Sequence, residues 1–168
     1  QQLDSLELRE VGDDLCQYLS LCTQLCKLTF MSSMADSGKG SFGEIIACAS
    51  SLPSLQQLTW RKSILSLSPE VLQTLPAWAT LEVLQVIPPK ADLAFYEWLG
   101  TRLPNLKTLE LVAMPCTLYR STWQPLGLQL VKMTSLTELI IKSKTKTGIG
   151  STSEFEEMFL EVCQSLPK

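Results

Sequence analysis

A six-residue pattern, Leu-x-x-Leu-x-apolar, recurs six times along the chain and constrains its fold more than any other feature. It reads LDSLEL (Leu3, Leu6, Leu8), LCKLTF (Leu25, Leu28, Phe30) and LQQLTW (Leu55, Leu58, Trp60). It continues as LEVLQV (Leu81, Leu84, Val86), LKTLEL (Leu106, Leu109, Leu111) and LTELII (Leu136, Leu139, Ile141). The first leucines are separated by 22, 30, 26, 25 and 30 residues. Self-similarity at intervals of about 20–50 residues marks chains built by stacking one supersecondary unit.

Within each pattern the last apolar pair alternates with polar residues, the period of a strand with one buried face. A common approach precedes it, seen in SSLPSL, TRLPNL and VKMTSL. Proline there ends the preceding helix and extends the residue before it. Between strands the period changes to that of helices, over residues 13–22, 42–52, 69–75, 92–103, 121–133 and 153–166. Start signals stand at Asp13, Ser41, Ser68-Pro69, Asp92 and Ser153 with Glu156 three residues on. The order is therefore β-α, six times. One such unit cannot cover its own apolar face, but stacked units bury a continuous core between a strand layer and a helix layer. Strands lie closer together than helices, so the expected α/β fold is a solenoid of about six β-α units. Its parallel strands line the concave face and its helices the convex face. A doubly wound sheet is the rival, but its strands should be apolar on both faces. Here Glu7, Thr29, Thr59, Gln85 and Glu110 point away from the core.

These residues resemble the leucine-rich-repeat superfamily over essentially the whole chain. The β-α units resemble its intracellular, ribonuclease-inhibitor-like branch, which includes the C-terminal sensors of NOD-like receptors. The resemblance implies one domain over 1–168 that recognises a protein and catalyses nothing. The family's usual Asn or Cys after the strand is replaced by Val11, Ser33, Ser63, Pro89, Met114 and Lys144. The opening in a strand and the closing QSLPK, which repeats the approach to a strand, lead us to expect a piece of a longer protein.

Composition narrows the function. A net charge of −3 argues against nucleic acid or an anionic membrane as partner. No run reaches the ~18 apolar residues of a membrane span. Histidine is absent and no C-x-x-C occurs among Cys16, Cys22, Cys26, Cys48, Cys116 and Cys163, so no common zinc spacing exists. These thiols sit among apolar residues and are expected buried and free. With no glycosylation acceptor, they favour a cytoplasmic setting. No metal, cofactor or small-molecule substrate is expected.

Gly38-Lys-Gly40-Ser-Phe-Gly43 matches the glycine-rich loop of protein kinases, which covers ATP phosphates with backbone amides. The companion motifs of a kinase are missing, so a loop entering a helix is expected and a nucleotide-binding enzyme is a remote alternative. The acidic pairs Asp13-Asp14 and Glu156-Glu157 sit near helix starts, where they offset the helix dipole. Lys142, Lys144 and Lys146 read as a solvated loop. Trp60, Trp78, Trp98 and Trp123 read as packing residues.

The strand positions that face away from the core are the candidate contact residues: Thr59, Arg61, Lys62, Val83, Gln85, Ile87, Glu110, Val112, Ile140 and Lys142. Val83, Ile87, Val112 and Ile140 would form an apolar stripe across neighbouring strands, the mark of a contact patch. The partner is a second protein or another domain of the parent chain. The expected role is recognition or autoinhibition in a NOD-like receptor or similar protein. The alternative is a substrate receptor of a ubiquitin ligase, which would carry an F-box.

Overall fold

The computed structural model describes residues 3–9, 14–31, 42–63, 69–87, 93–113 and 126–143. Within them lie β1 (Ser5–Leu8), α1 (Leu15–Ser20), β2 (Lys27–Phe30), α2 (Phe42–Ala49) and β3 (Gln57–Ser63). The order continues with α3 (Pro69–Thr74), β4 (Val83–Ile87), α4 (Leu93–Arg102), β5 (Thr108–Ala113) and β6 (Glu138–Ser143). A fifth helical segment, over 126–130, stands between β5 and β6. The expected helix over 153–166 lies outside the described residues, as do Gly38 and Gly40.

All six strands form one parallel sheet in the order β1-β2-β3-β4-β5-β6. Each strand pairs with its sequence neighbours, with no switch point of the doubly wound kind. The register sets each pattern against the next. Leu6, Leu28, Leu58, Leu84, Leu109 and Leu139 form one row across the sheet. Leu8, Phe30, Trp60, Val86, Leu111 and Ile141 form a second.

Those two rows make the core side. From β2 to β5 their residues are buried, and they cluster with Leu19, Ile45, Ile46, Leu72, Phe95, Leu99, Leu126 and Leu130 from the helices. The first leucines Leu25, Leu55, Leu81 and Leu106 are also fully buried. Removing each such leucine from water contributes about 1.5–3 kcal/mol. Aromatics fill the wider gaps. Phe30 and Trp60 meet at 4.8 Å between ring centroids, and Phe95 packs against Tyr96 and Trp98 at 5.7 and 5.9 Å. The packing roles expected for Trp60, Trp78 and Trp98 are borne out; Trp123 is outside the described residues.

The two outer strands differ from the inner ones. Leu6 and Leu8 on β1, and Leu139 and Ile141 on β6, are only partly buried against the core. Leu139 holds the same place in the pattern as Leu84 and Leu109, which are fully buried. β6 has a described strand on one side only, so its core row is covered from one side.

The turns into the strands repeat one hydrogen-bond scheme. The amides of Leu25, Leu55, Leu106 and Leu136 each donate to the carbonyl three residues back. One carbonyl of each turn then accepts two consecutive amides from the next unit. Asp4 O takes Cys26 and Lys27, Cys26 O takes Gln56 and Gln57, and Gln56 O takes Glu82 and Val83. Glu82 O takes Lys107 and Thr108, and Lys107 O takes Thr137 and Glu138, all ten bonds at 2.8–3.0 Å. Buried backbone polar groups must be paired, and this ladder satisfies those at the start of the sheet. Side chains reinforce it. Asn105 Nδ2 donates to Ala79 O at 2.8 Å, and Lys107 Nζ lies 2.9 Å from Glu82 Oε1. Of the six positions where the family's Asn or Cys is missing, only Ser63 falls within the described residues.

α4 meets the 126–130 segment at Gly100. A Cβ built there would lie 2.9 Å from Gln129 Oε1, 3.1 Å from Gln129 Cβ and 3.2 Å from its backbone oxygen. Glycine lets the two elements approach closely at this point.

Candidate partner-binding face

The sheet has a second face, opposite the one on which the described helices cluster with the core rows. Along each strand the residues between the core rows point to this side. One row reads Ser5, Lys27, Gln57, Val83, Thr108, Glu138. The next reads Glu7, Thr29, Thr59, Gln85, Glu110, Ile140. Adjacent strands lie about 4.8 Å apart, so neighbours within a row touch or nearly touch.

Towards β4–β6 the face is organised by one carboxylate. Glu110 Oε1 accepts a hydrogen bond from Gln85 Nε2 at 2.7 Å and sits 2.8 Å from Lys142 Nζ. The Glu110 side chain keeps only 13% of its surface exposed, whereas Lys142 keeps 57%. Low exposure strengthens the charge-assisted bonds and makes the carboxylate costly to leave unpaired. A second cross-strand bond runs from Thr108 Oγ1 to Glu138 Oε2 at 3.2 Å. At the other end, Arg9 Nε lies 3.7 Å from Glu7 Oε1, both well exposed. The polar side chains between β4 and β6 are therefore tied to each other across strands. Val83, Val112 and Ile140 stand among them half-buried.

The candidate contact residues divide on this geometry. Val83, Gln85, Glu110, Val112, Ile140 and Lys142 lie on neighbouring strands, as the pattern implied, and Arg61 is exposed on β3. The side chain of Lys62 lies outside the described residues. Two expectations need correction. Thr59 is buried at 4% exposure, although Thr29 and Gln85 on either side of it in the row are only half-buried. Ile87 is buried at 3%, although it does not belong to the contiguous core cluster. Its surroundings differ from those its spacing implied. The pattern sets Arg61 beside Ile87, but β3 takes three steps from Trp60 to Ser63 while β4 takes one from Val86 to Ile87. This bulge pairs Ser63 with Ile87 and breaks the alternation at Arg61 and Lys62. With Ile87 removed, Val83, Val112 and Ile140 do not make a continuous stripe, because the register sets them beside Thr108, Lys142 and Glu110.

Sequence reasoning did not see the Gln85–Glu110–Lys142 and Thr108–Glu138 links. Their signal is the register, since it sets Gln85 directly beside Glu110 and Thr108 beside Glu138. Read across equivalent pattern positions, those pairs can be found in advance.

Away from this face, a depression of about 210 Å³ lies between α3 and α4, walled by Leu72, Ala94 and Trp98 with Arg102 and Lys132 at its rim. A trough of about 390 Å³ runs along the turns at Ser54, Thr80, Asn105 and Ser135. Among the described residues no three His, Cys, Asp or Glu side chains gather as metal ligands would, and no helix is long and apolar enough to cross a membrane. Cys16, Cys22, Cys26 and Cys48 are free thiols, half-buried and not buried as their apolar neighbours implied. Cys116 and Cys163 are outside the described residues. Comparisons with protein-family models, with curated proteins and with solved structures find no match to this chain.

Proposed function

We propose that this chain is a segment of a leucine-rich-repeat solenoid that serves as a binding scaffold. The second sheet face would make the contact. One observation supports the reading: six parallel strands in sequence order bury one pair of rows against the described helices, while most described residues of the other rows, Thr59 excepted, keep part of their surface exposed. These rows hold the half-buried apolar residues Val83, Val112 and Ile140 interleaved with mutually bonded polar side chains. An apolar centre with a polar rim is a common design of protein interfaces. Bonds between Gln85, Glu110 and Lys142 hold the surface in shape before a partner arrives, which lowers the ordering cost of binding.

The partner in this reading is a protein or another domain of the parent chain. Recognition or autoinhibition in a NOD-like receptor or a similar cytoplasmic protein is the role that the resemblance supports. The four free thiols suit a reducing compartment.

Site-specific photo-crosslinking in the natural-length protein tests this. A photoreactive residue is placed at Val83, Val112 or Ile140, and for comparison at Tyr18, Leu128 or Lys132 on the helical side. Crosslinks to a second protein or a second domain should concentrate on the first three positions. Crosslinks confined to the helical positions would overturn the assignment of the face.

A further inference from the structure

α1 and α2 are successive helices, packed side by side. Each carries one cysteine on the side that faces the other. The Cys16 thiol donates to the carbonyl oxygen of Glu44 at 4.0 Å. Glu44 lies one helical turn before Cys48, so Cys16 is set against the stretch of α2 that bears Cys48. The nearness of Cys16 is among the causes that raise the Cys48 thiol, after burial. Both are partly accessible to solvent. The other described cysteines behave differently, since Cys22 donates to Tyr18 O and Cys26 to Gln24 O within their own segments.

We propose that Cys16 and Cys48 are a peroxide-responsive pair that closes to a disulfide and staples α1 to α2. The reaction balances in two steps. The Cys16 sulfur attacks one oxygen of hydrogen peroxide, the O–O bond breaks, and the departing hydroxide takes the thiol proton to leave as water. Cys16 is then a sulfenic acid. The Cys48 sulfur attacks the sulfur of that sulfenic acid, the S–O bond breaks, and the displaced hydroxide leaves as water with the Cys48 proton. Two thiols are oxidised by two electrons and one peroxide is reduced to two waters. Partial burial, then the hydrogen bond and charge of Cys16, push the Cys48 thiol up to about 12. Cys48 therefore keeps its proton near neutral pH and does not react readily with peroxide itself; the second step also needs a thiolate, so the attack by Cys48 sets the rate of closure. The bond would join two consecutive β-α units and remove much of their freedom to separate. A thiol reductant reverses it.

The test is mass spectrometry on the native chain after hydrogen peroxide, with free thiols blocked and the protein digested by trypsin. Cleavage after Arg9, Lys27, Lys39 and Arg61 places Cys16, Cys22 and Cys26 in peptide 10–27 and Cys48 in peptide 40–61. A disulfide-linked pair of these peptides is expected from the unaltered chain, from Cys22→Ser and from Cys26→Ser. It should be lost from Cys16→Ser and Cys48→Ser. The oxidised chain should show an upward shift in thermal midpoint that dithiothreitol abolishes. A link that survives Cys16→Ser would assign the partner to another cysteine and overturn the proposal. So would a link that appears only when denaturant accompanies the peroxide, since the native packing would then not bring the thiols together.

Discussion

Leu84 and Leu139 hold the same position in the pattern and the same row of the sheet, yet Leu84 is fully buried and Leu139 only partly. Leu84 has described strands on both sides. Leu84→Ala should therefore cost about 2–5 kcal/mol in urea unfolding, the usual range for a leucine truncated inside a packed core. Leu139→Ala should cost clearly less, because less apolar surface is lost and no closed cavity forms. Gly100→Ala isolates a different effect. In an open helix the change gains up to about 1 kcal/mol. Here the new methyl meets Gln129 at 2.9–3.2 Å, including its Cβ and backbone oxygen, which cannot swing away. Overpacking should win, with a net loss of roughly 1–3 kcal/mol measured by thermal or urea unfolding. Ile87→Asp should also destabilise, since it puts a charge at a site only 3% exposed. A variant that unfolds at the same urea concentration as the unaltered chain would show that Ile87 opens to solvent.

At the scale of elements, most of the architecture was legible and its irregularities were not. The change from period 2 to period 3.6 located the strands, the first four helices and the helical segment before β6 because that periodicity is the burial requirement itself. The expected starts of α2 and α3 match at Phe42 and Pro69, while the C-terminal ends of the described helices fall one to three residues short of those expected. α1 runs Leu15–Ser20 where the pattern suggested 13–22, and its N-cap Asp14 makes no side-chain cap bond. The bulge in β3 was invisible, since nothing in Trp-Arg-Lys-Ser marks where pairing with β4 will slip. The Glu110 cluster belongs to this scale because it joins three strands. Glu110→Ala should cost roughly 1–3 kcal/mol, since Gln85 and Lys142 lose their shared partner in a partly buried place. A double-mutant cycle between Glu110 and Lys142 should return a coupling of only about 1 kcal/mol or less. Lys142 is largely exposed, and solvent screens most of the pair's attraction.

For the whole molecule, what matters is that each strand touches only its sequence neighbours. The strand contacts run β1–β2 through β5–β6, and the ladder of shared carbonyls follows the same path. Stability is then expected to pass from unit to unit. Damage at Leu84 in β4 should loosen β3 and β5 before β1, which amide hydrogen exchange read strand by strand would reveal. Uniform loss of protection across all six strands would mean that the sheet unfolds as one block.

The six Leu-x-x-Leu-x-apolar patterns by themselves determined that one face of each strand must be buried and that helices must bury it. That follows from local periodicity and the cost of exposing apolar surface, both readable along the chain. They also favoured the row order, because a one-residue slip would set each core leucine opposite an outward polar residue. What only the tertiary structure decided is which outward positions remain open. Thr59 and Ile87 share the alternation of Gln85 and Val112 but are buried, and Ile87 pairs across the β3 bulge. The contact of Cys16 with α2 and the close approach at Gly100 likewise depend on how helical segments from different units meet. Exposure and contact of this kind are set by side chains distant in sequence, so no local pattern encodes them.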